Sequence, residues 1–118
     1  MGKLAFVAFK WAQPGHPVTY TAAHVNGWAA AMRHYYRGPA RFVVVTDDAT
    51  GIGPGVEVVP LWRDWCDLGN PHGAGFPSCY RRLRLFATDA AELIGANRFV
   101  MCDLDAMPCA EATPLFER

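Results

Sequence analysis

The chain has 118 residues, of which 52% are hydrophobic and 19% charged, and its formal net charge is zero. That length holds one modest domain with its own core and is too short for two, and the apolar fraction excludes a disordered chain. With no net charge there is no global field to draw the protein onto nucleic acid or an anionic membrane, and the apolar run at the N-terminus is too short for a signal sequence or a transmembrane span. Cys66, Cys79, Cys102 and Cys109 form no CxxC pair and no metal-site spacing. They read as reduced thiols of a cytoplasmic protein, mostly filling core.

In chain order, Leu4 to Phe9 is a short apolar run ending in Lys10, which predicts a buried strand. The Pro/Gly-rich AQPGHPV that follows cannot be helix. Thr21 is placed to cap a helix whose apolar positions Val25, Trp28, Ala29, Met32 and Tyr36 recur at helical spacing, with Gly38-Pro39 as its stop. RFVVVT (Arg41 to Thr46) is β-branched and continuous, as in a strand covered on both faces, and Asp47 to Gly51 supplies its turn. Val56 to Leu61 reads as a third strand, and residues 62–77 as a long loop. Ser78 is placed to cap a helix over CYRRLRLF, restarted at Thr88 or Asp89 and closed by Gly95. Arg98 to Cys102 is the fourth strand, and Thr113 to Phe116 a single helical turn.

Strands separated by helices imply crossovers and a mainly parallel sheet with helices on both faces. In such sheets the ligand crevice lies beyond the carboxyl ends of the strands, where strand order reverses. A crevice of that kind here needs the first and fourth strands side by side, which puts the loop after Phe9 beside Asp103, and Asp103 and Asp105 stand at the carboxyl end of the fourth strand. Two like charges there repel each other and lose solvation, and a divalent cation between them turns the repulsion into attraction. Hard oxygen ligands suit Mn²⁺ or Mg²⁺, which take one or two carboxylates and complete their shells with water and phosphate oxygens. Asp-x-Asp also occurs at solvated strand ends, so spacing alone leaves both readings open.

FVMCDLDAMPCAEATPLFER, together with CYRRLRLF, RFVVVTDD and GVEVVPLW upstream, resembles the GT-A glycosyltransferases, especially the glycogenin-like family 8 and related short bacterial and phage transferases. In that family an apolar strand runs into Asp-x-Asp and a Leu-Phe pair follows, a place filled here by Leu115-Phe116. The resemblance covers nearly the whole chain in the family's order. It implies a GT-A, Rossmann-like α/β fold, with residues 1–118 forming the nucleotide-sugar-binding part of a longer transferase domain. It further implies transfer of a sugar from a nucleotide-diphosphate donor to an acceptor (glycan, lipid or protein) that the sequence does not identify.

Residue by residue, the resemblance makes Asp103 and Asp105 the pair that holds the metal against the donor diphosphate. Arg82 falls where the family carries a basic residue facing the diphosphate or donor sugar. Phe9 and Lys10 match the segment lining the nucleotide base, and Tyr20 matches an aromatic that stacks on the base in part of the family, although packing serves it equally well. Arg81 and Arg84 read as a solvated helix face. Asp47-Asp48 suits a ribose contact or a plain turn, and His72 a phosphate contact or solvent. His16, His24 and His34 receive no role, and Cys79 lacks the neighbours of a nucleophile.

The chain departs from the family at Met107-Pro108-Cys109-Ala110, which replaces an apolar β-rich run, and at Glu111, where Asp is common. Family members also continue well beyond this point, and their second half carries the acceptor site. The expectation is therefore a donor-binding half with weak transfer of its own and a sheet edge open to self-association. The competing expectation is a non-catalytic nucleotide-binding α/β module, or a remnant that works with a partner.

Overall fold

The computed structural model describes residues 3–12, 20–73 and 79–117. The expected Ser78 cap, His16 and parts of both long loops lie outside them. Strand β1 spans Leu4–Lys10 and is buried from Leu4 through Phe9, as a run without a polar face requires. Helix α1 (Ala22–Tyr35) follows, then β2 (Ala40–Thr46) and β3 (Glu57–Pro60). A 3₁₀ helix (Tyr80–Phe86), α2 (Ala90–Ile94), β4 (Phe99–Met101) and a last turn α3 (Thr113–Phe116) complete the order.

The sheet has the order β3-β2-β1-β4 and every pairing is parallel. The expected adjacency of the first and fourth strands therefore holds, with Ala5, Phe6 and Val7 opposite Phe99, Val100 and Met101. The Cys102 N–H donates to Val7 O at 2.7 Å, which carries the pairing one residue past β4. From β1 the chain steps outward through β2 to β3, then crosses back over the sheet to β4. Crossovers of one hand put the returning segment on the opposite face.

Two cores reflect that route. Phe6, Ala8, Phe42 and Val44 point to one side and pack with Val25, Trp28, Ala29 and Met32 of α1. Val7, Phe9, Val43 and Val45 point to the other and pack with Leu85, Ile94 and Ala96. The strand period of two divides each run between the layers. Phe116 closes the α1 side, its ring 5.0 Å from Phe6 and 6.0 Å from Tyr36. The result is a small α/β domain with a four-stranded all-parallel sheet and helices on both faces. Among the described residues no helix is long and apolar enough to cross a membrane.

Local structure departs from the sequence reading in three places. CYRRLRLF is a 3₁₀ helix, ended by a bond from the Ala87 N–H to Arg84 O, and Asp89 then starts α2 separately. Gly95 ends α2 in the left-handed region (φ 76°), where a glycine carries no side-chain penalty. Second, Arg81 and Arg84 are not a solvated face. Arg81 donates to Trp62 O while the Trp62 indole donates to Arg81 O, and Arg84 pairs with Asp89. Leu83 and Phe86 are the exposed residues instead. A 3₁₀ helix repeats every three residues, so the faces expected from an α-helical period are redistributed. Third, Cys79 and Cys109 are exposed rather than core, with Cys66 and Cys102 half-buried and all four thiols free.

Candidate functional site

The reversal of strand order falls between β1 and β4, and the residues that follow β4 form the site. Strand geometry ends at Met101, and the Ala106 N–H donates to Asp103 O at 3.1 Å. Asp103 to Ala106 is thus a turn. The two carboxylates are therefore not brought to one face by strand alternation. Buried Leu104 anchors the turn in the α1-side core and leaves an exposed aspartate on either side of it.

Arg82 reaches this turn from the 3₁₀ helix, and its Nη1 pairs with Asp103 Oδ1. Its guanidinium lies 5.5 Å from the centroid of the Phe9 ring, a cation–π contact that links the end of β1 to the same place. The Arg82 side chain is only 23% exposed, and its Nε is buried without a hydrogen-bond partner. A guanidinium has five donors, and a buried one left unpaired is costly.

Tyr20, just before α1, completes the group. Desolvation raises the pKa of its hydroxyl, followed by the charge of Asp105, a hydrogen bond with the same carboxylate, and the charge of Asp103, while Arg82 acts in the opposite sense. The phenol is consequently neutral near pH 7 and stands near the Asp105 carboxylate. Its ring meets His24 edge-on at 5.4 Å.

Phe9, Tyr20, Arg82, Asp103 and Asp105 are thus brought together. Lys10 is not among them, because its Nζ donates to Asp48 O at 3.1 Å across the ends of β1 and β2. Phe9 is 3% exposed, with Trp11 and Trp62 edge-on at 5.8 and 5.6 Å, so its ring supports Arg82 from below as part of the core. For Asp48 the contacts are those of a turn. The Thr50 N–H donates to its Oδ1 at 2.9 Å, and that hydrogen bonding lowers its pKa. His72 lines a separate depression with Cys79, Tyr80 and Leu83.

One contributor escapes sequence reasoning. His24 accepts from the Thr21 N–H through Nδ1 at 2.9 Å, doing at the third helical position what Glu or Gln does in the usual capping box. Trp28 is fully buried, and its indole N–H has no conventional acceptor. It interacts with the Cys102 thiol, whose pKa burial pushes up to about 11. Beside Asp103 opens a groove of about 410 Å³ lined by Met32, Met101, Met107, Pro108, Leu115 and Phe116.

A resident metal must fit what these residues offer. No group of three or more His, Cys, Asp or Glu side chains able to hold a metal occurs among the described residues. An all-protein cage is therefore not what they build. Two exposed carboxylates beside an under-satisfied arginine do suit a hard cation that takes most of its ligands from phosphate and water. Compared with models of protein families, with curated proteins and with solved structures, the chain has no significant match.

Proposed function

We propose that this domain binds a nucleotide-diphosphate sugar through a divalent metal at Asp103 and Asp105, as the donor half of a GT-A-type glycosyltransferase. One observation carries the reading: the Arg82–Asp103 pair stands just past β4, where strand order reverses, the usual ligand crevice of a parallel α/β sheet, with Asp105 two residues further along the same turn. Mn²⁺ or Mg²⁺, when bound, neutralises charge on the diphosphate and on its departing form. Asp103 and Asp105 hold that ion. Arg82 supplies a fixed positive partner for phosphate oxygens, preorganised by the Phe9 ring beneath it. Tyr20 stands near Asp105 at the same edge of the site.

Calorimetry with a panel of nucleoside diphosphates, in Mn²⁺ and in chelator, tests this function. Binding should need the metal, and Asp105→Asn should weaken it by roughly 1–3 kcal/mol, the scale of a lost charged partner. Tight binding in chelator, or an unaffected mutant, would reject it. A second reading, a module that holds the donor without transferring it, is favoured by the groove beside Asp103. Among the described residues, its other lining side chains include no histidine or second carboxylate to serve as a base. Donor-sugar hydrolysis and transfer assays separate the two.

A further inference from the structure

Arg82 and the proposed metal have the same target. The guanidinium takes Asp103 Oδ1, one of the two carboxylates assigned to the cation. A dication brought to Asp103 meets a positive charge already beside it, and the two repel unless an anion arrives with the metal. Arg82 is also poorly placed to leave. Its side chain is about three-quarters covered, and it rests over the Phe9 ring. A group so held cannot swing into solvent to make room. It can turn its fork from Asp103 toward an acceptor that enters next to it, and a diphosphate is such an acceptor.

We propose that Arg82 is an exchange partner that couples metal binding to diphosphate binding: it neutralises Asp103 while the site is empty and transfers to the diphosphate when the metal–diphosphate complex enters. This inference rests on the metal–diphosphate reading of the site and adds an order to it. Free metal binds weakly, because it must displace or tolerate Arg82. Metal and diphosphate bind tightly together, because the diphosphate takes Arg82 and releases Asp103. The coupling is reciprocal, so metal strengthens diphosphate binding by the same factor.

The distinguishing signature is an inversion of sign. The test follows the electron paramagnetic resonance signal of free Mn²⁺ as the full chain is titrated, without and with inorganic pyrophosphate, after correction for Mn²⁺–pyrophosphate complexation. Relative to the unaltered protein, Arg82→Met should bind Mn²⁺ alone about three- to tenfold more tightly, as expected for removing one competing, partly screened positive charge. It should bind Mn²⁺–pyrophosphate about tenfold more weakly, having lost a charge-assisted phosphate contact. Arg82→Gln, which keeps hydrogen-bonding capacity without the charge, should show the same inversion and serves if the methionine variant folds poorly by circular dichroism. Arg82→Lys, which keeps the charge, should not invert. Weaker or unchanged binding of free Mn²⁺ by both neutral variants would overturn the exchange and make Arg82 a simple support for Asp103, leaving the metal site intact. Failure of the unaltered protein to take up Mn²⁺ under either condition would reject the metal–diphosphate reading, and the exchange with it.

Discussion

Replacing Asp103, Leu104 and Asp105 one at a time should divide function from fold within three residues. Leu104 is 3% exposed and shares the α1-side core with Phe6, Trp28 and Val44. Cutting it to alanine removes buried methyl groups and leaves a cavity, at a cost of about 2–5 kcal/mol. Against a total stability of about 5–15 kcal/mol for a domain, that is a large share. Asp103→Asn is different. It removes the charge from a pair whose members are 23% and 56% exposed, and such pairs contribute about 0–1 kcal/mol. The amide oxygen still accepts from Arg82, so the loss should sit at the lower end. At roughly 3–6 °C per kcal/mol for a chain of this size, Leu104→Ala should lower Tm by about 6 °C or more, and Asp103→Asn by about 3 °C or less. Binding should rank the other way: Asp103→Asn and Asp105→Asn lose metal-dependent diphosphate affinity, and the fraction of Leu104→Ala that remains folded keeps it. Urea and thermal unfolding, followed by calorimetry on each folded variant, measure both. An Asp103→Asn protein as destabilised as Leu104→Ala would refute the reasoning, because the carboxylate would then be a structural element of the turn.

Acid should weaken the fold in a defined window. Hydrogen bonding from Arg41 lowers the pKa of Glu57, and bonds to Thr50, Arg84 and Thr113 lower those of Asp48, Asp89 and Glu111. Groups with depressed folded-state values add stability that is present above their unfolded values and is lost as pH falls through the folded ones. The urea midpoint should therefore stay level from neutral pH to about pH 5 and then drop, less steeply in Glu57→Gln, and a rising midpoint below about pH 4.5 would contradict this. Alkylation of the native protein at pH 8 should modify exposed Cys79 and Cys109 well before Cys102, whose thiol is pushed up to about 11. Mass spectrometry showing Cys102 labelled first would mean that its end of β4 opens readily.

Much of the architecture was legible because its signals are strong and local. The uninterrupted LAFVAF and RFVVVT runs read as interior strands, and the spacing from Val25 to Met32 reads as the buried stripe of α1. The β1–β4 adjacency follows from the crevice that a site at the end of β4 requires. The site was half legible. Asp103, Asp105 and Arg82 stand out as candidates in the sequence, but their local geometry does not. Whether residues after a strand continue extended or turn depends here on Leu104 finding the core, which is a tertiary event. The roles of Arg81 and Arg84 depend on a 3₁₀ winding that propensity does not distinguish from an α-helix. Lys10 was expected beside the ligand, yet its long side chain is held by a carbonyl of the loop after β2. No motif announces the cap formed by His24, because a histidine at that position mimics the usual glutamate only through its ring nitrogen.

The central claim, a metal held by Asp103 and Asp105, is tested most directly by paramagnetic broadening. Substoichiometric Mn²⁺ added with pyrophosphate to isotopically labelled protein should broaden the amide signals of Cys102 to Ala106, with Tyr20 and Arg82 next. Those of Glu57, Val58 and Val59, on the far edge strand β3, should stay sharp. Broadening centred on Asp47 and Asp48, or no localised broadening at all, would contradict the claim.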